Sequence, residues 1–214
     1  MIGYFFALMN GIPFKMKTFA NDGRNVLECY RKPETLRQMT NQLRINAEVQ
    51  EGIRPKDMDD SLFEIHGKID FKDMIQVSTL QMAAARKFEV GKYEEAREEL
   101  EHLYVYKDDM IELLADEICC ELIYASLMVG KVEDAKELYI EKVQKYAQSM
   151  RETMTSKERL FCAIALYIDN NVEKAREIYE SVRAKSDSYL MQGEVKMDLA
   201  LMAEMLGEGS ATAD

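Results

Sequence analysis

From residue 73 onward, apolar positions recur at helical spacing and are broken at near-regular intervals by glycine or asparagine. Val77, Leu80, Ala84 and Phe88 share one face of a helix predicted over 73–90. After Gly91, Ala96, Leu100 and Leu103 share a face of a second, over 93–106. The same alternation predicts helix pairs at 110–129 with 132–150 and at 156–168 with 172–185, then a last helix at 189–206. Upstream, Pro33 opens a helix reaching about residue 51, with Leu36, Met39, Leu43 and Ala47 on one face, and Gly52 stops it. Residues 53–71 read as a connector with one short helix near 61–65, capped by Asp60 or Ser61. Residues 10–33 carry turn chemistry at Asn10-Gly11-Ile12-Pro13 and Asn21-Asp22-Gly23, where Gly23 suits a positive φ.

One phrase recurs in register: Gly91-Lys92-Tyr93-Glu94-Glu95-Ala96, Gly130-Lys131-Val132-Glu133-Asp134-Ala135 and Asn170-Asn171-Val172-Glu173-Lys174-Ala175. The three alanines are 39 and 40 residues apart, the signature of a copied supersecondary unit. Gly91, Gly130 and Asn170 suit the left-handed conformation that ends a first helix, and the alanine admits close approach of the second. Seven residues before each turn stands another small or medium residue: Ala84, Ile123, Ala163 and, before Gly207, Ala200. The expected fold class is all-α: a superhelix of antiparallel hairpins over 73–207, preceded by a degenerate unit at 34–72. The last helix, with Glu194, Lys196, Asp198 and Glu204, is expected to cap the array, and 208–214 to be a disordered tail.

Composition supports a helical reading. The 214 residues include three prolines and ten glycines, and 47% are hydrophobic. The net charge of −11 is uneven: residues 1–56 carry nine Lys or Arg against five Asp or Glu, leaving −15 on the remainder. An acidic array repels phosphate, so nucleic acid is excluded as a partner. The acidic residues are expected on solvated helix faces, paired with Lys or Arg one turn away. Cys29, Cys119, Cys120 and Cys162 show no metal-ligand spacing and read as reduced, buried thiols, which suits a cytoplasmic setting. Nucleotide-loop and serine-hydrolase motifs are absent, no catalytic residue is assigned, and no cofactor is implied.

The repeated phrase resembles the tetratricopeptide family, whose units place a small residue in the first helix, Gly or Asn at the turn and an alanine beyond it. The period is longer than that family's, and its proline near each repeat end is lacking, so tetratricopeptide-like is the fitting term. The resemblance implies a concave groove for a protein or peptide, with Gln81, Phe88, Tyr124, Leu127, Ile164 and Tyr167 facing it; self-association is a second implied partnership.

The segment Asn10-x-x-Pro13 followed by Asn21-Asp22-Gly23 resembles the Asn-x-x-Pro and Asp-Gly region of site-2 protease family membrane zinc metallopeptidases. That resemblance makes Asp22 a candidate metal ligand. The family's His-Glu-x-x-His helix is missing, and His66 and His102 stand in unsuitable places. The chain therefore reads as a cytosolic tail of such a protein or a descendant of one; the alternatives are a free-standing adaptor and a zinc peptidase fragment. The apolar run 1–9 is too short to span a membrane, and with the basic excess that follows it makes 1–33 a juxtamembrane-like segment on the cytosolic side.

Overall fold

The structure, a computed structural model, describes residues 12–13, 15–16, 19–31 and 33–208. The apolar run 1–9, Asn10 and the tail beyond residue 208 lie outside the described residues. The described residues are all-α apart from a two-residue antiparallel bridge of Lys15–Met16 with Phe19–Ala20. Ten α-helices are described: α1 (Asp22–Arg31), α2 (Pro33–Gln50), α3 (Met74–Arg86), α4 (Tyr93–Tyr104), α5 (Glu112–Met128), α6 (Val132–Leu138), α7 (Glu141–Met150), α8 (Thr155–Tyr167), α9 (Val172–Ala184) and α10 (Gln192–Met205). Among the described residues no helix is long and apolar enough to cross a membrane.

Local chemistry sets the boundaries. Asp73 caps α3 by accepting from the amides of Ile75 and Gln76 at 2.9 and 3.3 Å, and Asn171 caps α9 through the Lys174 amide at 2.9 Å. Gly91, Gly130, Asn170 and Gly207 have φ of 73°, 77°, 52° and 68°. At Gly91 the chain closes with Lys92 N donating to Lys87 O at 2.9 Å, which satisfies a carbonyl that the helix end would leave bare.

Three local expectations are corrected. Asn21-Asp22-Gly23 is not a glycine turn: Asn21 Oδ1 accepts from Arg24 N at 3.0 Å, so Asn21 caps α1 and Gly23 lies in its first turn. The short element in the connector is a 3-10 turn over Asp60–Phe63 capped by Asp59, whose side chain accepts from Ser61 N. The long helix expected over 132–150 breaks at Tyr139 and Ile140, and Gln144 Nε2 satisfies the freed Tyr139 carbonyl at 2.8 Å.

Packing follows the repeated alanines. Ala96, Ala135 and Ala175 are fully buried, as are Ala84, Ile123 and Ala163 on the facing first helices. In this way α4 lies on α3 and α5, α6 on α5, and α9 on α8. The first helices also pack on one another in sequence: α2 on α3, α3 on α5, α5 on α8 and α8 on α10. The last step was not foreseen, for α10 returns to pack on α2, and the five helices form a closed circuit. Half of the polar residues expected to cap the array turn inward instead, while Lys196 and Glu204 are exposed. Asp198 is fully buried and Glu194 points to the interior, while Lys196 donates to Gly52 O at 2.9 Å across the closure.

Gly193 makes that closure sterically feasible. A Cβ there would lie 2.0 Å from Ile53 O and 3.2 Å from Val49 Cα, both backbone atoms that cannot swing aside. Gly193→Ala should therefore lower stability by about 1–3 kcal/mol in urea denaturation. At Gly91, where a Cβ meets nothing within 4 Å, alanine should cost only the strain of its positive φ, about 1 kcal/mol. Equal midpoints for the two variants would show that α10 does not seat on α2.

Candidate functional site

The circuit of first helices surrounds a cavity of about 370 Å³ that opens to solvent. Gln42 and Asn46 of α2 line it, with Met74, Ser78, Gln81, Met82 and Ala85 of α3, and Leu113, Leu114, Glu117 and Glu121 of α5. The remaining wall is Pro55 and Ile111, Tyr146 and Met150 of α7, Met154, Ser156 and Arg159, and Glu194 and Met197 of α10. Five methionines make much of the wall soft and adaptable, since the unbranched thioether refills irregular space at little cost.

Against that apolar lining runs a network of buried charge. Lys157 Nζ, fully buried, donates to Glu117 Oε1 at 2.7 Å and to Ser156 Oγ at 3.1 Å, and Tyr146 OH donates to Glu117 Oε2 at 2.7 Å. Arg159 donates to Glu121 and, at 2.8 Å, to Asp198 Oδ1; Thr155 Oγ1 donates to Asp198 Oδ2 at 2.6 Å. The Arg159 guanidinium also lies over the Tyr124 ring at 4.2 Å and within 5.2 Å of the Phe88 centroid. Two cations thus join three inner helices, α5, α8 and α10.

Their surroundings set the protonation. Burial pushes the Glu117 carboxyl up, but the Lys157 charge and the hydrogen bonds from Lys157 and Tyr146 outweigh it and hold Glu117 below its ordinary value. Burial wins at Glu121 and Asp198, which share the single Arg159 charge, and both are raised. Glu194 is a different case. No hydrogen bond or ion pair reaches its carboxylate among the described residues; burial, then the charges of Asp198, Glu117 and Glu121, push it up to about 7. A carboxyl poised there can bind a cation or exchange a proton near neutrality.

The sequence-derived groove is corrected by burial. Phe88 and Tyr124 are fully enclosed and Leu127 and Ile164 nearly so, because α4, α6 and α9 cover the faces that an open array would expose. Tyr167, about one third exposed, is not part of the cavity wall, and Gln81 alone of the six lines the cavity, with Nε2 3.5 Å from Glu117 Oε1. Asp22 is exposed at the start of α1. Among the described residues no three His, Cys, Asp or Glu side chains converge as a metal site, so the residues present do not fit the zinc centre that the resemblance implied. His66 and His102 are exposed.

Comparison with known proteins finds no matching family model, curated protein or solved structure.

The charged network is what reading the carboxylates as solvated missed. Two signals for it lie in the sequence. α5 has apolar residues on all sides rather than along one stripe, and such a helix is buried over most of its length, so Glu117 and Glu121 within it are buried too. Repeat register gives the second: Ser78, Glu117, Lys157 and Glu194 each stand six residues before Ala84, Ile123, Ala163 and Ala200. Equivalent positions on successive first helices meet at the centre of the circuit.

Because the folded value of Glu194, about 7, exceeds its ordinary 4.5, its contribution to stability is fully present below pH 4.5 and lost as pH rises through 7. Allowing for solvent in the cavity, the ionised form costs on the order of 2 kcal/mol. Glu194→Gln should thus gain roughly that much relative to the native chain between pH 4.5 and pH 8 in chemical denaturation. A difference independent of pH would show that Glu194 titrates as an exposed carboxylate.

Proposed function

We propose that this chain is a non-catalytic binding domain, a tetratricopeptide-like superhelix drawn into a closed circuit, which receives a segment of another polypeptide in its central cavity. The cavity itself carries this reading. It combines a methionine wall that adapts to apolar side chains with polar groups fixed by ion pairs, the mixture by which pockets hold and orient a ligand. Ser156 Oγ on the wall lies beside Lys157, but Glu117 and Glu121 hold Lys157 protonated, so it supplies no base. Cys120 and Cys162 are buried thiols held protonated by burial, Cys162 being pushed up to about 12.

The same reading joins the domain, through residues 1–33, to the cytosolic face of a membrane, as the tail of a site-2-protease-like protein or a descendant of one. Its support is the Asn10-x-x-Pro13 and Asp22-Gly23 segment with the basic excess over 1–56. The apolar run 1–9 would then sit at the membrane, with the binding domain presented to cytosolic partners.

Ser78→Trp places an indole in the cavity wall on the solvent-lined side of α3. Peptides selected on the native domain from a display library should lose binding to this variant at least tenfold, while circular dichroism and the melting temperature stay near native. Tyr167→Ala, away from the cavity, should bind them as the native domain does. Undiminished binding to Ser78→Trp would move the binding surface elsewhere.

A further inference from the structure

The cavity wall is out of charge balance. It carries three carboxylates, Glu117, Glu121 and Glu194, and one cation, Arg159, while Lys157 and Asp198 are fully buried in the same network. Both cations are committed, Lys157 to Glu117 and Arg159 to Glu121 and Asp198, and each is held firmly protonated by those partners despite burial. Neither can turn to Glu194 without stranding a buried carboxylate. The other elements around Glu194 supply no substitute: α2 presents Gln42 and Asn46, α3 presents Ser78 and Gln81, and α7 presents Tyr146, whose hydroxyl is kept protonated by burial and Glu117. Lys196, on α10 itself, is exposed and turned to the Gly52 carbonyl. Glu194 is therefore an unpaired, half-buried carboxyl on the wall of the cavity.

We propose that Glu194 is the recognition residue for a basic side chain, lysine or arginine, carried by an apolar polypeptide segment. The inference rests on the reading of the cavity as a peptide site and adds the chemistry that selects the peptide. A cation placed against Glu194 offsets the unmatched charge, and at a half-buried site that pairing is less screened than at an exposed surface. The thioethers of Met82 and Met197, with Leu113 and Leu114, supply the apolar contact that the methylenes of a lysine or arginine stem require. A volume of about 370 Å³ suits one such side chain and its flanking residues. An acidic residue at the same point would meet uncompensated like charge and be rejected.

Binding would also be linked to pH. Glu194, at about 7, is half protonated near neutrality, and a cation beside it draws the carboxyl down, so binding releases roughly half a proton at pH 7.

The test uses acetylated, amidated nonapeptide libraries, randomised over apolar residues, with lysine, arginine, norleucine or glutamate fixed at the centre. On the full chain at pH 8, lysine and arginine libraries should be retained at least about tenfold better than norleucine, and glutamate least of all. At pH 5.5 that preference should fall to a few-fold, and Glu194→Gln should erase it at both pH values while still retaining norleucine peptides. Equal retention of lysine and norleucine would overturn the inference and leave the peptide-binding reading standing. A preference that survives in Glu194→Gln would overturn the assignment to this residue, and retention of no library at all would overturn both readings.

Discussion

One arginine holds the centre of this molecule together. Arg159 is almost wholly buried and spans from Glu121 on α5 to Asp198 on α10, with Tyr124 beneath its guanidinium. Such a group is costly to desolvate, and its pairing recovers that cost only while every partner stays in place. The net stability gained over an apolar core is small, whereas removing one member strands a buried charge at about 3–5 kcal/mol. We read its role as specification: α5, α8 and α10 can be neighbours in the arrangement that pairs these charges, and sliding a helix by one turn breaks the set. Lys157, two residues before Arg159 on α8 and tied to Glu117, fixes the same register a second time.

That constraint explains why the array curls upon itself. Asp198 must reach Arg159, which draws α10 inward, and Gly193 then lets its first turn lie against the backbone at Val49 and Ile53. At the amino-terminal side, Arg86 holds the connector by donating to Pro55 O at 2.7 Å and Met58 O at 3.0 Å, and Arg54 pairs with Glu89 at 2.6 Å. The 3-10 turns are thereby pinned beside α3. The cavity is what remains at the middle when five helices close a circuit and the side chains of repeat-equivalent positions converge but do not fill it.

Much of the secondary structure was legible because its determinants are local. Apolar spacing located the helices to within a few residues, and glycine or asparagine at 91, 130 and 170 stands where the backbone is left-handed. The break at Tyr139 was not legible, since no proline or glycine marks it and its compensation comes from a side chain five residues away. The site was less visible still. A face assignment made for an open superhelix put Phe88 and Tyr124 on a groove, yet Phe88 packs on Tyr93, the Phe88 and Tyr124 rings lie against Arg159, and the circuit closes through Lys196 and Gly52, residues far apart in sequence. Register alone, applied to charged positions as well as to alanines, would have brought Glu117, Lys157 and Glu194 together.

The binding chemistry inherits its sign from the same network. Because Arg159 and Lys157 are spent on holding helices, Glu194 is left as the unmatched charge. The ion pairs give the fold its register and its cavity its preference together. The most direct measurement is a double-mutant cycle between Arg159 and Asp198, with Arg159→Met, Asp198→Asn and the double variant unfolded in urea at pH 7. A coupling of at least about 2 kcal/mol is the predicted result. A coupling below roughly 0.5 kcal/mol would show that the two helices are held by apolar packing alone, and would contradict the account.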